Sequence, residues 1–302
     1  MMEKIKNHRK LSFDKKAIIV LGVTIPLITF VVFWIIPKWR FLLQSIQQID
    51  PITGDAYFTL DNFTRFFDAV KNPYSEIFLS FKNTIICFCF DTFIKTPICF
   101  IFAFFLYKKI KFSNFFRWVF FLPSILSGVV VSGFVTSFLG VLGPFPGWIQ
   151  TIFGGDKILF FQDEKYAFGT LLVVNLWSGF GVSLLYYVSA MVRIPEEVVE
   201  SAKLDGFSLF HEFIYITIPL VWPTISTLLL LSVTAIWGSD VGSLLYTNGR
   251  AGTSTLNYWI YNNTVGGEYN YVSAVGMILT LITIPLIIIV RKLSAKIETA
   301  TY

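Results

Sequence analysis

Residues 194–223 read IPEEVVESAKLDGFSLFHEFIYITIPLVWP. Pro195 suits the first turn of a helix, where a missing N–H removes a donor that has no intrahelical partner. Glu196 and Glu197 follow where the helix dipole favours negative charge. The pattern VVESAKLD extends the helix to about three turns. Gly206 then offers the left-handed backbone that ends a helix. A second helix over Ser208–Thr217 is expected to lead to Pro219, where an apolar run begins. The segment carries Glu200, Asp205 and Glu212 beside apolar Val199, Leu204, Phe207 and Phe210, while Ser201 and Ala202 are small enough for close helix approach. Half-apolar, half-acidic helices of this kind suit a cleft on a partner. A helix lying on lipid is the competing reading, and the acidity weighs against it, since such helices favour Lys and Arg.

The flanking sequence says what this segment interrupts. Of the 302 residues, 55% are hydrophobic and 14% charged, with 33 Phe and a mean hydropathy of +0.67. Soluble domains carry about 25% charged residues. The composition excludes a soluble enzyme, a disordered tail and a disulfide scaffold, and leaves a polytopic membrane protein. The net charge of +5 does not read as a nucleic-acid site, because Lys and Arg cluster beside apolar runs. His8 and His211 are the two histidines, so no multi-histidine metal site is expected. Cys87, Cys89 and Cys99 share one apolar run and read as small hydrophobes.

Six runs approach the ~20 residues that span a bilayer core. They are 17–36, closed by Pro37, then about 83–107, 118–139, 167–192, 219–237 and 271–290. Each is expected to be helical, because irregular backbone cannot face lipid. The first run is longer than a signal-peptide core and lacks a small-x-small site after it, so it reads as a retained helix. The expected plan is a tail at 1–16, a first transmembrane helix at 17–36 and an exterior loop at 37–82. A core at 83–292 follows, containing the loop 194–219, and a tail at 293–302 ends the chain. Residues 57–67 of the exterior loop are expected to form a short amphipathic segment. Fifteen of the 24 Lys and Arg fall on the side of the termini and eight on the other, with Lys95 inside a span. That bias predicts cytoplasmic termini. The loop between the fourth and fifth spans, residues 193–218, also faces the cytoplasm and departs from the pattern, with two basic residues (Arg193 and Lys203) and five acidic ones.

Glu200–Gly206, E-S-A-x-x-D-G, followed by Ile218-Pro219, resembles the E-A-A-x-x-x-G loop of ATP-binding-cassette importer permeases, with Ser201 in place of the first Ala. FTLDNFTRFF at 58–67, RWVFFLP at 117–123, NLWSGFGVSLLYYVSAMVRIP at 175–195, Thr247–Gly249 and YNYVSAVG at 269–276 are similar to segments of the carbohydrate, maltose-type branch. Arg250 and Ala251 depart from that branch's T-N-G-G-P turn, and Asn270 and Tyr271 from its last-helix entry. The resemblance covers roughly residues 58–292. It implies an all-α permease of six transmembrane helices with a cytoplasmic coupling helix, forming half of a pore. Glu200, Ser201, Ala202, Asp205 and Gly206 would engage an ATPase. A second permease, two ATPase subunits and an exterior solute-binding protein would complete the importer in the bacterial plasma membrane. No cofactor is expected on this chain. ATP and Mg would sit on the ATPases, since these 302 residues contain no G-x-x-x-x-G-K-S/T loop.

Polar residues inside spans mark interior surface. Asn175, Ser178 and Ser183 lie on the fourth span with Trp177 and Tyr186; Ser239 and Asp240 end the fifth beside Trp237. Aromatic faces beside amides and carboxylates suit sugars. By the same resemblance, Asn175, Gly179, Trp237, Ser239 and Asp240 would line the substrate path. The bland alternative makes the tryptophans belt residues and leaves Asp240 in exterior water. Asp91 and Lys95 stand four apart in the second span, on one helix face. Alone at mid-membrane each would cost about 2.5–3.5 kcal/mol. They read as a structural pair, with a proton relay or a substrate contact as alternatives. Pro97 is expected to kink this helix. Three rival functions stand beside a sugar permease: an amino-acid or peptide permease, an ion-coupled secondary transporter, which would show an inverted repeat, and a membrane enzyme, for which no catalytic cluster assembles from spacing.

Overall fold

Three prolines shape the long helices of this computed structural model, which describes residues 13–50 and 52–299. Helix α1 (Phe13–Phe30) passes through a π-helical turn at Val31–Ile35 into α2 (Ile36–Ser45). After a hairpin of β1 (Gln47–Ile49) and β2 (Ala56–Phe58) come α3 (Asp61–Lys71) and α4 (Glu76–Phe90). A second π turn, Asp91–Lys95, joins α4 to α5 (Thr96–Tyr107). Next are α6 (Ser113–Ile125), α7 (Gly128–Leu139), α8 (Pro144–Phe153), α9 (Ala167–Ser178), α10 (Phe180–Met191), α11 (Glu196–Leu204) and α12 (Leu209–Glu212). A third π turn, Phe213–Thr217, runs into α13 (Ile218–Thr234). The chain ends with α14 (Ser243–Tyr246), α15 (Leu256–Val265) and α16 (Tyr269–Thr299).

Each π turn ends two residues before a proline: Pro37, Pro97 or Pro219. A proline ring clashes with the carbonyl four residues back and supplies no N–H. Those carbonyls belong to Phe33, Phe93 and Tyr215, the central residue of each π turn. The widened turn gives the ring room, so the helix continues. This corrects two expectations, the end of the first helix at Pro37 and the start of the fifth span at Pro219. Pro37 does not close the first helix, which reaches Ser45. Pro97 marks a widened turn. Pro219 does not start a new span, because α12, the π turn and α13 form one helix from Leu209 to Thr234.

Other boundaries also shift. The second span begins at Glu76, where Ser75 Oγ accepts from Phe78 N–H at 3.2 Å, and not at Asn83. The expected third span is two helices. Leu126 is extended after α6, and Ser127 Oγ caps α7 by accepting from Val130 N–H. The fourth is bent by 42° at Gly179, between α9 and α10. Residues 57–67 are split between β2 and α3, and the tail assigned to 293–302 is helical through Thr299. Lys4, Lys6, His8, Arg9 and Lys10 of the N-terminal tail lie outside the described residues. Five helices are long and apolar enough to cross a membrane, and a sixth if the bent pair is one span. The protein is an all-α polytopic membrane protein.

The chain divides into two compact units. One contains the residues through Thr64 and Tyr269–Met277. Here Asn62, 2% exposed, donates through Nδ2 to Gln47 O at 2.9 Å and holds the hairpin, and Ser45 Oγ reaches Met277 Sδ at 3.4 Å. Val20–Ile36 presents exposed apolar side chains all round, the surface expected of a helix in lipid.

The other unit holds Arg65–Glu268 and the chain from Ile278. Its main core packs α5 on α10 through Cys99, Ala103, Leu184, Tyr187 and Met191. Lipid tails are as apolar as leucine, so close packing supplies the association. Cys99 and Ala103, both fully buried, let the two helices approach, and Phe100 meets Tyr187 edge-on at 5.3 Å. A second cluster gathers Cys87, Val131, Leu171, Val174 and Val241.

Candidate functional site

The π turn at Asp91–Lys95 aims two charges at the hinge between α9 and α10. Lys95 Nζ donates to Asp91 Oδ1 at 3.0 Å. Asn175 Nδ2 donates to the same oxygen at 3.0 Å. Lys95 passes over Gly179, and a Cβ built there would lie 2.9 Å from its Nζ. Gly179 is therefore open because the lysine occupies that space. The structure joins Asp91, Lys95, Asn175 and Gly179 into one cluster. Sequence reasoning placed Asn175 in a path and Asp91–Lys95 in a pair, without the link between them. The available signal was that all three are polar residues in spans.

Two cavities flank this cluster. One, of about 270 Å³, is lined by Asn175, Ser178, Gly179, Asp240 and Tyr246 among others. The second, of about 300 Å³, is lined by Asp91, Thr92, Lys95, Ser183, Tyr186 and Ser239 among others. Thr92 Oγ1 is buried with no hydrogen-bond partner among the described residues. Burial raises the Tyr246 phenol above its ordinary pKa, so it keeps its proton and can donate. Hydroxyls, an amide and a charge pair on aromatic-edged walls can exchange hydrogen bonds with a polyhydroxylated solute.

Two expected path residues are committed elsewhere. Trp237 Nε1 donates to Leu279 O at 3.0 Å and to Thr283 Oγ1 at 2.6 Å, and its ring stacks on Phe81 at 5.3 Å. It lines neither cavity, and its N–H and ring are held by Leu279, Thr283 and Phe81. Asp240 lines the first cavity, but its carboxylate is largely used by the loop. Oδ1 accepts from Thr255 Oγ1 at 2.6 Å and Ser243 Oγ at 2.9 Å, and Oδ2 accepts from Gly242 N–H at 3.0 Å. It is not an acid standing free in water.

The segment 194–223 forms the second part of the site. Val199 and Ala202 are buried and pin α11 to the core, while Glu200, Ser201, Leu204, Asp205 and Gly206 are exposed. Leu204 is 89% exposed, beside exposed Phe207, Leu209 and Phe210. The helix stops in a Schellman arrangement: Gly206 has φ +80°, Phe207 N–H reaches Ala202 O at 3.0 Å, and Gly206 N–H reaches Lys203 O at 3.1 Å. A Cβ on Gly206 meets nothing within 4 Å, so a substitution there is strained by its backbone alone. Gly206→Ala is expected to cost about 1 kcal/mol. Hydrogen exchange would read this as faster exchange at Gly206 and Phe207 with the core amides unchanged.

Behind α11 a polar cavity of about 540 Å³ is lined by Lys108, Lys109, Arg117, Glu196, Glu200 and Lys203 with apolar neighbours. Glu212 does not join the exposed acids. Its side chain is 5% exposed and pairs with Lys108. The reading of Glu212 as part of a docking face is thereby corrected, and its partner, 104 positions earlier in the chain, left no local signal.

Residues 79–299 match the model of the family described as binding-protein-dependent transport system inner membrane component. The arabinooligosaccharides transport system permease protein of Bacillus subtilis is 25% identical, over 96% of this chain and 92% of its own length. The polygalacturonan/rhamnogalacturonan transport system permease protein of the same organism is 26% identical, over 89% and 85%. In a crystal structure of a bacterial ABC transporter involved in the import of the acidic polysaccharide alginate, one chain superposes with a TM-score of 0.80. It is 21% identical and covers 94% of this chain and 97% of its own.

Proposed function

Because this chain belongs to the family of inner membrane components of binding-protein-dependent transport systems, we propose that it is one of two permease subunits of an ATP-driven importer of a sugar or oligosaccharide. It forms half of the pore. A second permease forms the other half, two ATPase subunits bind ATP and Mg, and an exterior binding protein delivers the solute. The chain itself carries no catalytic step. It lies in the bacterial plasma membrane with both termini cytoplasmic.

The observation that carries this reading is the build of α11, pinned on one side by Val199 and Ala202 and bare on the other at Glu200, Ser201, Leu204 and Asp205. An ordered, half-exposed helix ending at a rigid corner suits a groove on a moving partner. Closure of the ATPases would pull on it and favour one access state. Such a shift needs different contacts in the two states. The sugar class is supported by the relatives' substrates and by the hydroxyl-lined cavities around Asp91, Lys95 and Asn175.

Glu200→Lys tests the docking. Charge reversal at an interface is expected to weaken ATPase binding about tenfold or more, close to 1.4 kcal/mol. Titration of purified ATPase onto the two-permease complex in nanodiscs would measure it. Unchanged affinity would remove Glu200 from the interface.

A further inference from the structure

We propose that the buried Lys108–Glu212 ion pair is a strap that carries movement of α11 into the helix bearing Asp91 and Lys95. This rests on the transporter reading above. Lys108 closes the C-terminal end of α5, its N–H bonding to Phe104 O at 2.9 Å. Glu212 lies in the first turn after Ser208, whose Oγ caps that helix by accepting from His211 N–H. Each charge thus sits at the helix end whose dipole favours it.

The setting separates this pair from the two exposed ion pairs. Its side chains are 14% and 5% exposed, against 54% and 48% for Arg65–Glu268 and 78% and 77% for Lys71–Asp68. Aromatic rings close over it. Lys108 Nζ lies 5.3 Å from the Tyr107 ring and 5.7 Å from the Phe104 ring, and Phe213 meets Phe104 at 5.0 Å and Phe100 at 5.4 Å. A buried pair is no better for stability than apolar side chains of similar volume. What it supplies is a directional link that resists sliding.

The link has joints on both sides. Glu212 stands six residues beyond the Gly206 corner and directly before the π turn at Phe213–Thr217. Thr217 Oγ1 is buried there without a hydrogen-bond partner among the described residues. Lys108 follows α5, whose other end is the π turn that holds Asp91 and Lys95, about 20 Å away at 1.5 Å per residue. A displacement at α11 therefore reaches the charge cluster through one stiff helix if the strap holds. It is absorbed in the Phe213–Thr217 turn if the strap is cut. Lys108 and Glu212 act as positioning residues and touch no solute.

The test uses the assembled transporter in proteoliposomes with its binding protein and a neutral oligosaccharide it imports. It reads sugar taken up per ATP hydrolysed, together with ATPase affinity. Glu212→Gln keeps the shape and removes the charge. It is expected to bind the ATPase as wild type does and to lose about tenfold or more in sugar per ATP. The swapped pair Lys108→Glu/Glu212→Lys is expected to recover to within about threefold. If Glu212→Gln does not fold, Lys108→Cys/Glu212→Cys, with Cys87, Cys89 and Cys99 replaced by Ala, is compared with and without a short bismaleimide tether. The tethered form should be coupled and the untethered form not. An unchanged ratio in Glu212→Gln overturns the strap. So does a lower ratio fully explained by lost ATPase affinity, or a well-assembled swap that stays uncoupled. Wild type that binds no ATPase would overturn the transporter reading, and the strap with it.

Discussion

Asp91→Leu is expected to destabilise the protein by about 3 kcal/mol, the lower end for breaking a buried charge pair. The low end applies because Asp91 is 32% exposed at its side chain and borders a cavity. One oxygen holds both Lys95 Nζ and Asn175 Nδ2, each at 3.0 Å. Its removal strands the Lys95 ammonium near the middle of a 32-residue helix and the Asn175 amide on α9 beside it. Thermal unfolding in a mild detergent would read the loss. Adding Lys95→Met should restore most of the stability, since an apolar pair of similar volume replaces the ionic one. Uptake should stay at least tenfold below wild type, because the cavity wall has lost both charges. Recovery of stability and uptake together would make the pair a structural feature with no part in transport.

Gly181→Leu is expected to have an effect of similar size through packing. A Cβ at Gly181 would lie 2.7 Å from Phe120 O and Ser124 Oγ and 3.1 Å from Phe121 Cα. Two of these atoms are main chain of α6 and cannot rotate away. The substitution must part α6 from α10, at a cost of about 3 kcal/mol or more, the upper range for overpacking. The contacts of Phe180 with Phe120 at 4.7 Å and Phe102 at 5.5 Å would open with it. The measurement is the yield of monodisperse protein and its melting temperature. Gly169→Leu is the control, since a Cβ there meets nothing within 4 Å. Equal stability of the two variants would mean that α6 and α10 do not pack this closely.

Local chemistry was legible in the sequence. Pro195, Glu196, Glu197 and Gly206 announced α11 and its corner, because caps and left-handed stops are decided within a few residues. The apolar runs announced the spans, because bilayer thickness fixes their length. The effect of Pro37, Pro97 and Pro219 was not legible. A proline breaks a helix in water, but at these three positions the backbone widens by one π turn and carries on. The break at Leu126 and Ser127 was hidden inside a continuous apolar run. The two polar links were out of reach for another reason. Asn175 lies 84 positions from Asp91, and Glu212 lies 104 from Lys108. A polar residue in an apolar run shows that a partner exists without showing which. The same limit explains Trp237 and Asp240, whose side chains are held by Thr283, Ser243 and Thr255.

The most direct measurement is uptake from a panel of labelled sugars and oligosaccharides into proteoliposomes carrying this chain and the proteins that co-purify with it from its native membrane. The account predicts that a second permease and an ATPase pair co-purify, and that uptake requires enclosed ATP and an added binding protein. A chain that purifies alone and accumulates solute on an ion gradient would contradict it.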